Sequence, residues 1–233
     1  MKDYFLFVDT ETSGLPKKWN QPYWVKGNWP YSVQIAWLIF DKSGAEVKRE
    51  NFYIGDEDFD IQPASIKIHG ITREFLKQNG TKRKKVMNKL AYDIRKYRPL
   101  LVGHFMELDY HVLGADFYRS QVDNPMKKLP LFCTMLASEI FVKNPQSKFF
   151  RLPQLHEHLF DQGVDNIHDA LTDAEITAKC FFELKKRGTI TDTSIAIQQT
   201  KFRMKALNTT GKVWGLVALL ATILVIIIIL FAL

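Results

Sequence analysis

The segment FLFVDTETSGLP, Phe5 to Pro16, carries two carboxylates, Asp9 and Glu11, separated only by Thr10. Phe5 to Val8 form a continuous apolar run of the kind that suits a strand buried on both faces. Residues i and i+2 of a strand project to the same face. Asp9 and Glu11 therefore stand side by side at the strand's C-terminal end, where open α/β sheets usually place ligands. Two acids this close repel each other, and burying either charge costs free energy unless a positive charge accompanies it. Oxygen donors at this spacing suit a hard divalent cation such as Mg²⁺ or Mn²⁺. Taken alone, the pair also fits a polar strand end turned to water.

Two further fragments change that balance. LLVGHFMELDYHVL places Asp109 at the start of a helix that follows a second apolar strand. NIHDALTDAEITAKCF places His168 just before another helix and Asp173 within its first turns. DTET, GHxxxxD and HDALTDA, in this order and at these separations, resemble the three motifs of the DnaQ-like DEDDh exonucleases. The resemblance extends over nearly all of residues 1–190 and includes NWPYSVQIAW and IHGIT, which are similar to the family's second strand and its helix-opening turn.

The resemblance implies an α/β fold of the ribonuclease H-like type, a mixed five-stranded sheet flanked by helices. It also implies roles residue by residue. Asp9, Glu11 and Asp173 match the direct ligands of two Mg²⁺ or Mn²⁺ ions, and Asp109 matches the acid that assists the second ion through water. His168 matches the general base. Two ions about 4 Å apart can stabilise both the attacking and the leaving oxygen, and a neutral imidazole can accept a proton near neutral pH. Thr10 and Leu15 match positions where relatives touch the terminal nucleotide. For Leu15 two readings stand, a wedge against the last base or a core residue.

The implied substrate is a nucleic acid with a free 3′ end, hydrolysed in the 3′→5′ direction to nucleoside 5′-monophosphates. DNA is the first reading and RNA the alternative, because the same five residues serve both. From outside the enzyme class, a non-catalytic, membrane-tethered nucleic-acid-binding module would keep the fold, but all five active-site residues are present. Two departures bear on the shape of the substrate groove: Phe105 stands where many members have Asn, and Leu108 stands where Phe is common.

These residues need a scaffold, and the rest of the chain supplies its pieces. SVQIAWLIFD and EVKRENFYI read as two more strands joined at Lys42-Ser43-Gly44, and LLVGHF reads as a fourth. Thr72 can cap a helix starting near Arg73. Val86, Leu90 and Ile94 predict a helix over Lys82–Lys96 that Pro99 stops, and another follows over about Leu108–Tyr118. LPLFCTMLASEIF reads as a short strand turning into a helix, LPQLHEHLF as a short packed helix, and ALTDAEITAKCFFELKKRG as the last helix, with Gly188 at its C-terminal end.

Other features have plainer alternatives. The loop from Lys17 to Tyr31 sets Trp19, Tyr23, Trp24 and Trp29 beside Lys17, Lys18 and Lys26. Long loops are often functional, and this composition suits stacking on unpaired bases. Trp29 reads better as a cover for the sheet edge, while Trp19 and Trp24 fit either role. Lys82-Arg83-Lys84-Lys85 could contact phosphates but reads better as a solvated helix face. Asp169 competes with Asp173 as a ligand by spacing, and the motif assigns it instead to capping. His156 and His158 do not share a helix face. Cys133 and Cys180 show neither metal spacing nor a disulfide framework and read as reduced core thiols.

The net charge of +7 is unevenly placed, because four basic residues and no acid lie in Lys201–Lys212. Beyond them VWGLVALLATILVIIIILFAL, residues 213–233, holds no charge and no proline. As a helix it would span about 32 Å, enough for a bilayer core. The expected organisation is an exonuclease domain over 1–188, a basic juxtamembrane stalk over 189–212 and a transmembrane tail anchor over 213–233. Positive flanks stay cytoplasmic and the N-terminus enters the first strand at once, so the expected location is a single-pass membrane protein with its catalytic domain facing the cytoplasm.

Overall fold

The structure is a computed structural model, and it describes residues 2–202 apart from 57–58, 144–145 and 166. Five strands form one mixed sheet: β1 (Tyr4–Thr12), β2 (Ser32–Asp41), β3 (Glu46–Tyr53), β4 (Leu100–Gly103) and β5 (Leu131–Cys133). Their order is β3-β2-β1-β4-β5. β1 and β2 pair antiparallel, as do β2 and β3, whereas β1–β4 and β4–β5 are parallel. The apolar run that opens the chain thus becomes the central strand, buried on both faces.

The alternation of β1 divides the interior. Leu6 and Val8 face one side, where they pack with Trp37 and Ile39 against α3 (Arg83–Tyr97) and α4 (Met106–Ser120) through Val86, Leu90, Leu113 and Phe117. Phe5 and Phe7 face the other, packing with Phe132 against α6 (Leu152–Phe160) and α7 (Ala170–Lys186) through Leu155, Phe181 and Leu184. A third cluster of Val33, Phe59, Ile61, Ile71 and Leu76 lies beneath α1 (Pro63–His69) and α2 (Arg73–Asn79). The short α5 (Thr134–Ala137) follows β5. This is the expected mixed sheet with helices on both faces, and both cysteines are buried and free.

Three local features differ from the sequence reading. α1 was not anticipated, since none of its residues is buried and no apolar period marks it. Arg83 does not belong to a solvated face: it is 3% exposed, pairs with Asp116 at 2.6 Å, and lies over the rings of Tyr31 and Phe59. Its neighbours Lys82, Lys84 and Lys85 are exposed as expected.

The third difference concerns the segment read as the start of a stalk. A helix begins at residue 192, is described to residue 202, and lies on the domain. Gln198 accepts from the Cys133 amide at 2.9 Å and donates to the Cys133 carbonyl at 3.1 Å, and the Gln199 amide donates to the Leu131 carbonyl. Side chains thereby occupy backbone groups of the outermost parallel strand, β5, which a bare edge would leave for another chain to pair with. Ile190, Ile195 and Phe202 add apolar contacts. The transmembrane reading of 213–233 lies outside the described residues. Among the described residues no helix is long and apolar enough to cross a membrane.

Candidate active site

The C-terminal end of β1 meets the N-termini of α4 and α7, and the expected acids gather there. The pairing of β1 with β2 shifts register between Glu11 and Thr12, a bulge immediately beside the acids. Bulges of this kind re-aim side chains and are frequent next to active sites. From the α4 side, Asp109 lies against Gly103 at the end of β4. A Cβ added at Gly103 would stand 3.3 Å from Asp109 Oδ2 and 3.0 Å from Met106 Sδ, so only a glycine lets the carboxylate settle there without a shift. Thr10, which resemblance places at the terminal nucleotide, is 7% exposed, and its hydroxyl donates to Asp109 Oδ1 at 2.8 Å.

Electrostatics mark the cluster as short of positive charge. Asp9 is held well above the ordinary carboxylate range, first by burial and then by the charges of Asp109, Asp173, Glu11 and Asp169. Glu11 is pushed up to about 8 by burial, with Asp173, Asp109 and Asp169 adding to it. Burial raises Asp109 to about 7 against the opposing pull of the Thr10 hydroxyl, and raises Asp173 to about 6. Glu11, His168 and Asp173 each present a ligand atom within 4.8 Å of the others. Asp173 Oδ1 is buried and has no hydrogen-bond partner among the described residues. A buried carboxylate oxygen left over in this way, among four crowded acids, fits a divalent cation bound by oxygen donors.

The entry to α7 is the most constrained part of the site. His168 is exposed, adopts a left-handed backbone (φ 69°), and donates its amide to Asp173 Oδ2 at 3.3 Å. Asp169 caps the helix, accepting from the Thr172 amide at 3.0 Å, which matches its reading as a cap. Gln34 fixes the cap from β2. Its amide nitrogen donates to Asp169 Oδ2 at 2.8 Å and to Asn51 at 3.0 Å, while its oxygen accepts from the Ala170 amide at 3.2 Å. Gln34 is 1% exposed and pairs with Glu11 across the strands, yet the sequence reading missed it. The available signal was a lone amide within the apolar strand SVQIAWLIF.

His69 was missed as a site neighbour as well. Its Nε2 donates to the Thr12 carbonyl at 3.2 Å and its Nδ1 accepts from the Ile71 amide at 3.0 Å, the only tautomer both bonds allow. Burial lowers its pKa, so the ring is a neutral strut at the end of β1. His104 of the second motif is a strut too, bonded to Thr134 Oγ1 and the Phe150 carbonyl, with burial pushing it down to about 4. Leu15 is 69% exposed beyond Gly14, which removes the core reading. In the neighbouring loop Trp29 is buried, whereas Trp19 and Trp24 are exposed.

Solved structures share this architecture. A zinc-bound complex of E. coli exonuclease I with single-stranded DNA superposes with a TM-score of 0.66 at 20% identity, covering 80% of this chain and 41% of that one. The E. coli exonuclease I complex with a dA16 oligonucleotide gives 0.63 at 22% identity over 80% and 41%. An apo exonuclease I gives 0.64 at 20% identity over 89% and 47%. The chain thus spans less than half the length of each, and likeness at this identity speaks for the fold. Comparison with curated proteins gives no match. A fold leaves the chemistry open, but a match to the RNase T exonuclease family runs over residues 6–181, and the chain belongs to that family.

Proposed function

We propose that the protein is a metal-dependent 3′→5′ exonuclease that hydrolyses DNA from a free 3′ end and releases nucleoside 5′-monophosphates. The observation that carries this reading is the gathering of Asp9, Glu11, Asp109 and Asp173 at the end of β1, each carboxyl raised by burial, with one buried oxygen unpartnered and His168 alongside. Asp9, Glu11 and Asp173 would hold two Mg²⁺ or Mn²⁺ ions, with Asp109 assisting. When bound, these ions supply charge stabilisation to the attacking and leaving oxygens of phosphodiester hydrolysis.

The chain's own residues account for the rest. His168, exposed at the mouth of the site, accepts the proton of the attacking water on an imidazole nitrogen. Water adds at phosphorus, the bond to the 3′-oxygen breaks, and the shortened strand leaves with a 3′-hydroxyl once that oxygen takes up a proton. Thr10 orients Asp109, Gln34 and Asp169 fix the helix entry from which His168 and Asp173 act, and Leu15, exposed beyond Gly14, would wedge against the terminal base. The oligonucleotides bound to the E. coli exonuclease I structures support single-stranded DNA as the substrate.

In this proposal residues 1–188 are the catalytic unit, and the uncharged stretch 213–233 tethers it to a membrane, with the basic residues of Lys201–Lys212 on the cytoplasmic side. The activity is tested by following 5′-labelled DNA and RNA strands with Mg²⁺ or Mn²⁺. RNA shortened in preference to DNA would replace DNA as the substrate.

A further inference from the structure

The loop between β1 and β2 displays aromatic rings in fixed positions. At its base the Asn28 side chain donates to the Lys18 carbonyl at 2.9 Å and accepts from the Lys18 amide at 3.0 Å, and the Lys17 amide donates to the Asn28 carbonyl at 3.1 Å. At its centre Trp29 stacks on His111 of α4 at 4.7 Å with an interplanar angle of 17°, and Tyr23 Oη meets His111 Nδ1 at 3.0 Å. A Cβ at Gly114 would stand 2.5 Å from Tyr23 Oη, so the glycine is what lets this ring reach the helix. A loop pinned at both points presents its remaining residues as a rigid surface.

Trp19 lies on that surface and is 40% exposed. Its ring centroid lies 5.7 Å from that of Phe105 and 6.4 Å from that of His111, so it sits beside the first turn of α4, which carries Asp109. Phe105 is itself anomalous, with φ 76° and ψ 42° immediately before the helix. A left-handed backbone costs a bulky residue stability that Asn or Gly would not lose, and such outliers cluster at functional sites. The half-buried Phe105 ring backs Trp19 from the residue that opens α4, four positions before Asp109. Exposed Lys17, Lys18 and Lys26 surround the loop, and Trp24 stands 66% exposed on it.

We propose that Trp19, backed by Phe105, forms a stacking subsite for an unpaired base just upstream of the scissile phosphate, with the loop lysines following the backbone of a single strand. The proposal rests on the nuclease reading above and adds to it a specificity element for single strands. A duplex keeps its bases stacked on one another and cannot offer one to Trp19 without unpairing. Base stacking on aromatic side chains tolerates any sequence, so this subsite selects strandedness rather than bases.

The test uses the full-length chain in mild detergent and 5′-labelled oligothymidylates, intact or with one abasic position moved stepwise from the 3′ end. Trp19→Ala should weaken use of the intact strand by roughly tenfold, the scale of one lost base stack. The loss should appear in KM rather than kcat, and Trp19→Phe should recover most of it. In the unaltered chain one abasic position should raise KM, and in Trp19→Ala that penalty should vanish. Phe105→Asn should also raise KM while its melting temperature stays at or above that of the parent, because Asn accepts the left-handed backbone. An unchanged KM in both variants, or an abasic penalty that persists in Trp19→Ala, overturns the proposal. If the unaltered chain hydrolyses nothing, the nuclease reading fails separately, and equilibrium binding of the same strands still decides the subsite: equal affinity with and without Trp19 sinks it.

Discussion

The Thr10 hydroxyl donates to Asp109 Oδ1 across 2.8 Å and so joins the middle of the first acidic motif to the acid of the second. Asp9 and Glu11 project from the face of β1 that packs beneath α7, while Thr10 shares the opposite face with Leu6 and Val8, beneath α3 and α4. One tripeptide thereby organises acids that arrive from both layers of the fold. Thr10→Val keeps the shape and removes the bond. Activity should fall about 10- to 100-fold, the usual cost of losing an outer partner of a metal site. Steady-state rates at saturating Mg²⁺ and the Mg²⁺ concentration for half-maximal rate check this, and both should move.

Without divalent ions the acids should make stability depend on pH in a defined direction. Glu11 lies near 8 against an ordinary 4.5, and Asp109 and Asp173 lie near 7 and 6 against 3.8. The folded chain holds these protons more tightly than the unfolded chain. That contribution is complete below about pH 4 and is lost as the pH rises through about 6 to 8. In chelator the melting temperature should therefore fall across this window. Mn²⁺ or Mg²⁺ displaces the protons, so the thermal shift it produces should be small at about pH 5 and large at about pH 8.5. A shift of equal size at both pH values would contradict the crowding described here.

Gln34 gives three hydrogen bonds to the entry of α7 and its surroundings. Gln34→Met keeps the volume and leaves the Ala170 amide and the Asp169 carboxylate without this partner. Denaturant unfolding should register a loss of about 1–3 kcal/mol, the cost of stranding buried polar groups. Turnover should drop with it, because His168 and Asp173 both depend on that entry. His168→Ala, which strands nothing, should instead lower turnover by about 10²- to 10⁴-fold, the range for removing a general base, while leaving the unfolding midpoint within error.

Much of this was legible in the sequence because it rests on periods. The two-residue period of a strand puts Asp9 and Glu11 together, and the spacing of Val86, Leu90 and Ile94 marks α3. Gln34 and Arg83 were not legible for the same reason. A polar residue in an apolar strand and a basic residue in a basic run look like tolerance or solvation until a partner distant in sequence, Asp169 or Asp116, is brought to it. α1 lacks a buried face, so no period announces it. The docking of residues 190–202 depends on side-chain amides meeting the backbone of β5, which composition does not encode.

That docking has its own consequence. A chain ending at Gly188 loses the cover on β5 and should melt lower and self-associate, whereas one ending at Phe202 should melt as the parent does. If residues 213–233 tether the protein, the chain ending at Phe202 should also leave the membrane fraction. Scanning calorimetry and fractionation of the two truncations against the full chain read both effects.

Metal-dependent shortening from the 3′ end by the acids at the end of β1 is decided with the full-length chain and its Asp9→Ala variant. Matched 5′-labelled DNA and RNA single strands are incubated with Mg²⁺, with Mn²⁺ or with chelator. A ladder that shortens from the 3′ end, appears only with the metal and vanishes in Asp9→Ala is expected, with nucleoside 5′-monophosphates recovered by chromatography of the released products. A strand that stays intact under every metal condition, or a ladder that persists in Asp9→Ala, would contradict it.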